Sequence, residues 1–231
     1  MDFTNFFSTD KLVNTAIFAV LALLCITVHE LAHGYTAYRL GDNTAKEMGR
    51  LTLNPIKHID IVGFAMIIFV GFGWAKPVPV YMQNFKHPKW YMAVTAIAGP
   101  LSNIILAVIV IFVYMLLPSP YGGYNSLLGV LLSDSSNLVA ELIFRLALLN
   151  IALAIFNLLP IPPLDGSKVL FSLLPKKYYY KLMKYERYGM ILLLILLFSG
   201  RFLKVDVLSN IVVKPALMLL YSLSVFFSTH F

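Results

Sequence analysis

The sequence predicts an all-α, polytopic membrane protein of about five to six transmembrane helices, with a re-entrant segment, extended or β-hairpin, near 61–80. Three observations carry that prediction. The chain is 59% hydrophobic and 13% charged, against about 25% charged in an ordinary soluble domain, and its mean hydropathy is +0.80. Long apolar runs recur from one end of the chain to the other. Between them, Lys and Arg gather in a few short loops, the pattern that sets orientation in a bilayer.

The long runs cover about 12–34, 92–117, 138–159, 187–200 and 207–228. Crossing the hydrocarbon core takes roughly 20 residues. The run 187–200 is short and is expected to tilt or to pair with 207–228. The segment 61–73, "IVGFAMIIFVGFG", is shorter still, and it leads into "WAKPVPV". Gly and Pro at this density argue against a simple spanning helix. Extended chain that re-enters fits better, provided that protein or water satisfies its backbone.

Loop charge then gives a topology. Residues 39–60 carry Arg39, Lys46, Arg50 and Lys57; residues 76–90 carry Lys76, Lys86 and Lys89; residues 165–187 carry Lys168, Lys176, Lys177, Lys181, Lys184 and Arg187. The loop 118–137 has neither Lys nor Arg. The positive-inside rule places the three basic loops in the cytoplasm, with 118–137 and the N-terminus outside. For 39–60 and 76–90 to share a side, 61–73 must return rather than cross. The expected organisation is one membrane domain, 1–231, with a catalytic core of about 12–170 and C-terminal helices at about 187–228. The loops are too short for a further folded domain, so a regulator is expected to be a separate protein. No cleavable signal peptide is evident at the N-terminus. The lone Cys25 lies in an apolar run, which excludes an internal disulfide and implies packing. The net charge of +7 reads as loops facing an anionic leaflet, and nucleic acid is not an expected partner.

The polar residues inside the apolar runs carry the chemistry. "HELAH" at 29–33 matches H-E-x-x-H. On a helix, His29 and His33 share one face, so both imidazoles can reach one metal. Glu30 is turned about 100° away, toward a water rather than the metal. A catalytic zinc keeps three protein ligands and an open position, so a third ligand must come from elsewhere. "NLLPIPPLDG" at 157–166 offers it. Its prolines stop the preceding helix and stiffen the chain just before Asp165. The topology puts Asp165 and the HELAH end of the first helix on the same side.

With those motifs in view, the chain resembles the site-2 protease family of intramembrane zinc metalloproteases, peptidase family M50. The resemblance rests on "HELAH" (29–33), "GWAKPVPV" (73–80), "AGPLSN" (98–103) and "NLLPIPPLDG" (157–166), in the family's order. It implies one Zn²⁺ per chain on His29, His33 and Asp165, with Glu30 as general base. It also implies a minimal member without PDZ or CBS domains, and it associates Asn157 with substrate handling. Asn157 is in addition a candidate oxyanion donor. Asn103, in "AGPLSN" near the start of its helix, is a second and weaker candidate that could instead serve helix packing. A substrate unwound into a strand could add to the edge of 61–80; a structural plug is the alternative there.

Other polar residues read as structural. His58 and His87 are expected at the interface, and Glu141 and Arg145, four residues apart in a membrane helix, are expected to neutralise each other. The basic, Tyr-rich run 176–187 resembles an interfacial anchor.

Three function classes compete. A di-iron membrane oxygenase or desaturase needs more clustered histidines than the five present. A transporter needs polar residues across the membrane, whereas these gather at one depth. A pseudoprotease would most simply lack Glu30 or a ligand. The expected function is therefore an intramembrane zinc metalloendopeptidase, cleaving transmembrane or membrane-anchored protein segments near the cytoplasmic face of a cell membrane. The alternative is a zinc-binding membrane protein without protease activity. Short loops suit a prokaryotic plasma membrane.

Overall fold

The computed structural model describes residues 9–70, 73–116, 138–203 and 209–230. α1 (Thr9–Arg39) meets no Gly or Pro before Gly34 and ends on a basic residue, which suits the negative end of the helix dipole. The short α2 (Thr44–Glu47), a 3₁₀ turn (Pro55–His58) and α3 (Ile61–Val70) follow. Extended chain and a second 3₁₀ turn (Met82–Asn84) lead into α4 (Pro88–Met115), which opens on a proline in its first turn. Then come α5 (Leu138–Asn157), α6 (Asp165–Leu173), α7 (Lys176–Leu203), a π turn (Ser209–Val213) and α8 (Lys214–His230). Among the described residues no strand is present, and four helical stretches are long and apolar enough to span a membrane: Leu12–Arg39, Pro88–Met115, Leu138–Asn157 and Ser209–Thr229.

α4 is the central helix, packed against α1, α5 and α6, while α8 closes on α4 and α5. The core between α4, α5 and α8 is built from Ala107, Ile111, Ala147, Ile151, Ala216 and Leu220, all fully buried. Alanines at these positions let the helix axes approach closely, which is how apolar helices gain contact when lipid offers no hydrophobic drive. The opposite face of α4 shows Leu101, Ile105, Ile109 and Val113, one every four residues and each about half exposed. Such a stripe suits lipid rather than water. Glu141 and Arg145 pair as expected, and Arg145 also donates to Asn14 Oδ1 at 3.1 Å.

Several expectations need correction. The segment near 61–80 is not a β-hairpin: Ile61–Val70 is helical, capped by Asp60, whose carboxylate accepts from the Gly63 N–H at 2.8 Å. Gly63 and Gly73 serve a close approach rather than helix breaking. A Cβ on Gly63 would lie 2.0 Å from the Trp74 carbonyl oxygen, and one on Gly73 would lie 2.0 Å from the Gly63 carbonyl oxygen. The returning chain therefore runs directly against the start of α3. The Lys76 N–H donates to the His58 carbonyl at 2.9 Å, so the two ends of the excursion meet. From residue 73 to 81 the chain takes no helix or strand; Pro77 and Pro79 bias the residues before them to extended backbone, and Tyr81 is extended.

Pro100 is not near a helix start. α4 begins at Pro88, so Pro100 lies in its interior, where it removes one ladder hydrogen bond and crowds the preceding turn. The run 187–200 is not a separate short element. It continues the helix that begins at Lys176, because nothing from there to Tyr188 interrupts it. The loop expected outside, 118–137, and the N-terminal eight residues lie outside the described residues.

Candidate metal centre

α1 presents His29 and His33 on one face, 4.5 Å apart between ring centroids and perpendicular to each other. The His29 and His33 Nε2 atoms are 3.0 Å apart. Asp165, the first residue of α6, brings Oδ2 to 3.2 Å from His29 Nε2 and 3.0 Å from His33 Nε2. All three residues are buried. Among the described residues they form the one group of three or more His, Cys, Asp or Glu side chains close enough to share an ion. A residue 132 positions from His33 is thus brought to it by the stop at the end of α5.

The hydrogen bonds behind the rings settle their tautomers. His33 Nδ1 lies 2.7 Å from the Thr95 carbonyl oxygen, which can only accept, so Nδ1 carries the proton. His29 Nδ1 lies 2.8 Å from Asn103 Oδ1. That end of the Asn103 amide is oxygen because its other end donates to the Cys25 carbonyl at 3.2 Å and to Asn150 Oδ1 at 2.7 Å. The Asn150 amide in turn donates to the Leu146 carbonyl at 2.9 Å. With both Nδ1 atoms protonated, the two neutral Nε2 atoms and the Asp165 carboxylate turn three lone pairs toward one point. Three acceptors about 3 Å apart repel one another unless a cation lies among them.

The donor set fits zinc. Zinc takes imidazole nitrogen and carboxylate oxygen at about 2.0–2.2 Å in a tetrahedron, which places donors roughly 3.3–3.5 Å apart. The observed 3.0–3.2 Å is within a few tenths of that. Gly99 makes room for the rings, since a Cβ there would lie 2.4 Å from His33 Nε2 and 2.7 Å from His29 Cε1. Lys168 Nζ is 3.6 Å from the second carboxylate oxygen, Asp165 Oδ1, which leaves Oδ2 to the imidazoles.

The centre opens on a cavity of about 730 Å³. Its lining is mainly apolar and comes from α1, α3, α4, α5, α6 with the turn before it, α7, the π turn and the extended chain at 73–80. Glu30 lines it together with His29, His33 and Asp165, and its Oε2 accepts from the Val78 N–H at 2.7 Å. Asn157 also lines it, with its amide donating to the Leu153 carbonyl at 3.0 Å.

His29, His33 and Asp165 therefore converge, and Glu30 and Asn157 line the same cavity. Asn103 stands apart: it is fully buried behind His29 and does not line the cavity. His58 is fully buried, with Nε2 against the Thr52 carbonyl at 3.0 Å. His87 is exposed at the start of α4. The sequence reading passed over Asn150, Thr95 and Val78, which act through backbone groups or buried amides that leave no motif. It passed over Lys168 too, although its place one turn after Asp165 on α6 was a usable signal. Nor are the C-terminal helices mere scaffold: Leu193, Val212 and Val213 line the cavity, and Gly189 packs against Pro162, where a Cβ would lie 2.4 Å from the carbonyl oxygen.

The profile of peptidase family M50 matches residues 17–199. Among curated proteins, the chain is 44% identical over 178 residues to "Putative zinc metalloprotease YwhC" of Bacillus subtilis, across 77% of this chain and 78% of that protein. It is 29% identical over 181 residues to "Putative zinc metalloprotease Rip2" of Mycolicibacterium smegmatis, across 77% of this chain and 64% of that protein. It is 28% identical over 165 residues to "Zinc metalloprotease MJ0392" of Methanocaldococcus jannaschii, across 71% of this chain and 36% of that protein. No solved structure matches the chain.

Proposed function

Because the chain belongs to peptidase family M50 and is a multi-pass zinc metalloprotease, we propose that it cleaves transmembrane or membrane-anchored protein segments near the cytoplasmic face of a cell membrane. The observation that carries this reading is the convergence of His29, His33 and Asp165 beside Glu30, in an apolar cavity enclosed by membrane-type helices. Apolar walls suit the side chains of a membrane segment, and the polar groups are confined to the point where a peptide bond would sit.

His29, His33 and Asp165 would hold one zinc. Bound there, zinc supplies Lewis-acid polarisation of a carbonyl and acidification of a water to a pKa near 7. Glu30 receives the water's proton and returns it to the leaving amine, a task for a carboxylate that reaches the water without ligating. The Asn157 amide, on the cavity wall, donates to the substrate carbonyl oxygen or to unwound substrate backbone. Asn103 and Thr95 fix ring orientation and leave Nε2 of each histidine unprotonated. The extended chain bordering the cavity at Trp74, Ala75 and Val80 offers an edge to a substrate unwound into a strand.

The cytoplasmic side is supported by three basic stretches: 39–60, which follows α1, 76–90, and 165–187, which begins at Asp165 and runs through α6 into α7. The contact between His58 and Lys76 brings the first two of these loops together. The bacterial relatives fit a prokaryotic plasma membrane. The test compares membrane proteins in cells producing the wild type or Glu30→Gln. Membrane segments should accumulate uncut only in the variant, and identical membrane proteomes would sink the proposal.

A further inference from the structure

The extended segment 76–81 is held to the protein at points on both sides of its centre. The Lys76 N–H donates to the His58 carbonyl at 2.9 Å, and the Lys76 carbonyl accepts from Arg50 Nη2 at 2.7 Å. The Tyr81 N–H donates to Asp42 Oδ2 at 2.7 Å. Asp42 is itself fixed: Oδ1 accepts from the Thr44 hydroxyl at 2.6 Å and from Asn84 Nδ2 at 2.8 Å. Arg50 and Asp42 are both buried. A buried charge that spends its hydrogen bonds on one strand of backbone fixes that strand's register.

Val78 lies between these anchors. Pro77 and Pro79 flank it and carry no N–H, so from 77 to 79 the Val78 amide is the only backbone donor. That donor meets Glu30 Oε2 at 2.7 Å. A register shift of one residue either way would turn a proline ring toward the carboxylate. Gly34, one helical turn after Glu30, admits the valine: a Cβ there would lie 2.8 Å from Val78 Cγ1. The helix, the clamp and the Pro-Val-Pro alternation all converge on one hydrogen bond.

We propose that the Val78 peptide N–H is a positioning group for the catalytic carboxylate. It occupies one oxygen of Glu30 and thereby aims the other at the water beside the zinc ligands. This rests on Glu30 being the general base. Without the N–H, the carboxylate can rotate about its terminal torsions, which are soft, and proton transfer needs a heavy-atom separation of about 2.6–3.2 Å.

The experiment replaces the Val78 residue by its α-hydroxy acid, so that the amide becomes an ester with the side chain intact. Val78→Pro is made in parallel and compared with Val78→Ala, which keeps the N–H. Each protein is purified with zinc, reconstituted in vesicles and assayed on a transmembrane-helix substrate, with Glu30→Gln alongside. The ester should lose roughly 10- to 100-fold in kcat, the range for one hydrogen bond to a charged group. KM should stay within about threefold, and zinc content should match the wild type. Val78→Pro should fall at least about tenfold below Val78→Ala. An ester with wild-type kcat overturns the proposal, as does one whose KM alone rises, which would assign the N–H to substrate. Loss of zinc overturns it too, because the segment would then be propping the metal site. Full cleavage by Glu30→Gln would remove the general-base reading itself, a result separate from any of these.

Discussion

The imidazole wall of the cavity and its extended-chain wall are held by opposite means. His29 and His33 ride on α1 and are backed by α4, through Asn103 and the Thr95 carbonyl; helix packing sets their distance and the buried amides only set their orientation. Val78 rides on no element. Its place follows from a few side chains, Arg50, Asp42 and Glu30, bonded to backbone. A packed wall loses geometry when volume changes. A clamped wall loses it when one polar partner goes, while the core of the bundle stays as it was.

The two walls should therefore fail differently. The largest effect is expected on the packed wall at its ligand. Asp165→Ala should shed zinc under a mild chelator, and cleavage with it, a loss beyond the roughly 10–100-fold typical of an outer-shell partner. Zinc content unchanged after dialysis would remove Asp165 from the ligand set. Asn103→Ala comes next. It should weaken zinc binding by about 10–100-fold, measured by competition with a fluorescent chelator, because His29 loses its acceptor and Asn150 loses its donor. If that variant binds zinc normally and fails only in cleavage, the division between walls is wrong.

On the clamped wall, Arg50→Lys should keep zinc and lower cleavage roughly tenfold, the cost of one charge-assisted hydrogen bond at about 1.5 kcal/mol. The smallest effect is on stability. Burial raises the Asp42 carboxyl, but hydrogen bonds from Thr44, Asn84 and the Tyr81 N–H outweigh it and hold the group below its ordinary value. A lowered folded pKa stabilises fully above the unfolded value, near 3.9, and the contribution is lost as pH falls through the folded one. Asp42→Asn should cost about 1–3 kcal/mol at pH 7, and the gap to the wild type should narrow below about pH 4. Thermal melts in detergent at a series of pH values check both statements.

That contrast also explains what could be read from the sequence. His29, Glu30 and His33 were legible because helical spacing fixes which faces they share. Asp165 was legible because prolines stop a chain visibly. The role of Asn103 was not: spacing showed a polar residue in an apolar helix, but whether it faces the cavity or the back of His29 depends on how α1 and α4 pack. The helical state of 61–70 was missed for a related reason. Glycines that permit close approach look like glycines that break helices, and only the contact between Gly63 and Trp74 distinguishes them. Arg50 and Asp42 read as ordinary loop charges because a side chain bonded to distant backbone leaves no pattern in sequence.

The most direct test of the central claim measures zinc and cleavage together on purified protein in vesicles, comparing the wild type with Glu30→Gln. One zinc per chain is expected in both, with a transmembrane substrate cut by the wild type alone and the loss in the range of about 10²–10⁴-fold for a missing general base. Cleavage at the wild-type rate by Glu30→Gln, or a wild type that cuts equally well after its zinc is removed, would contradict that claim.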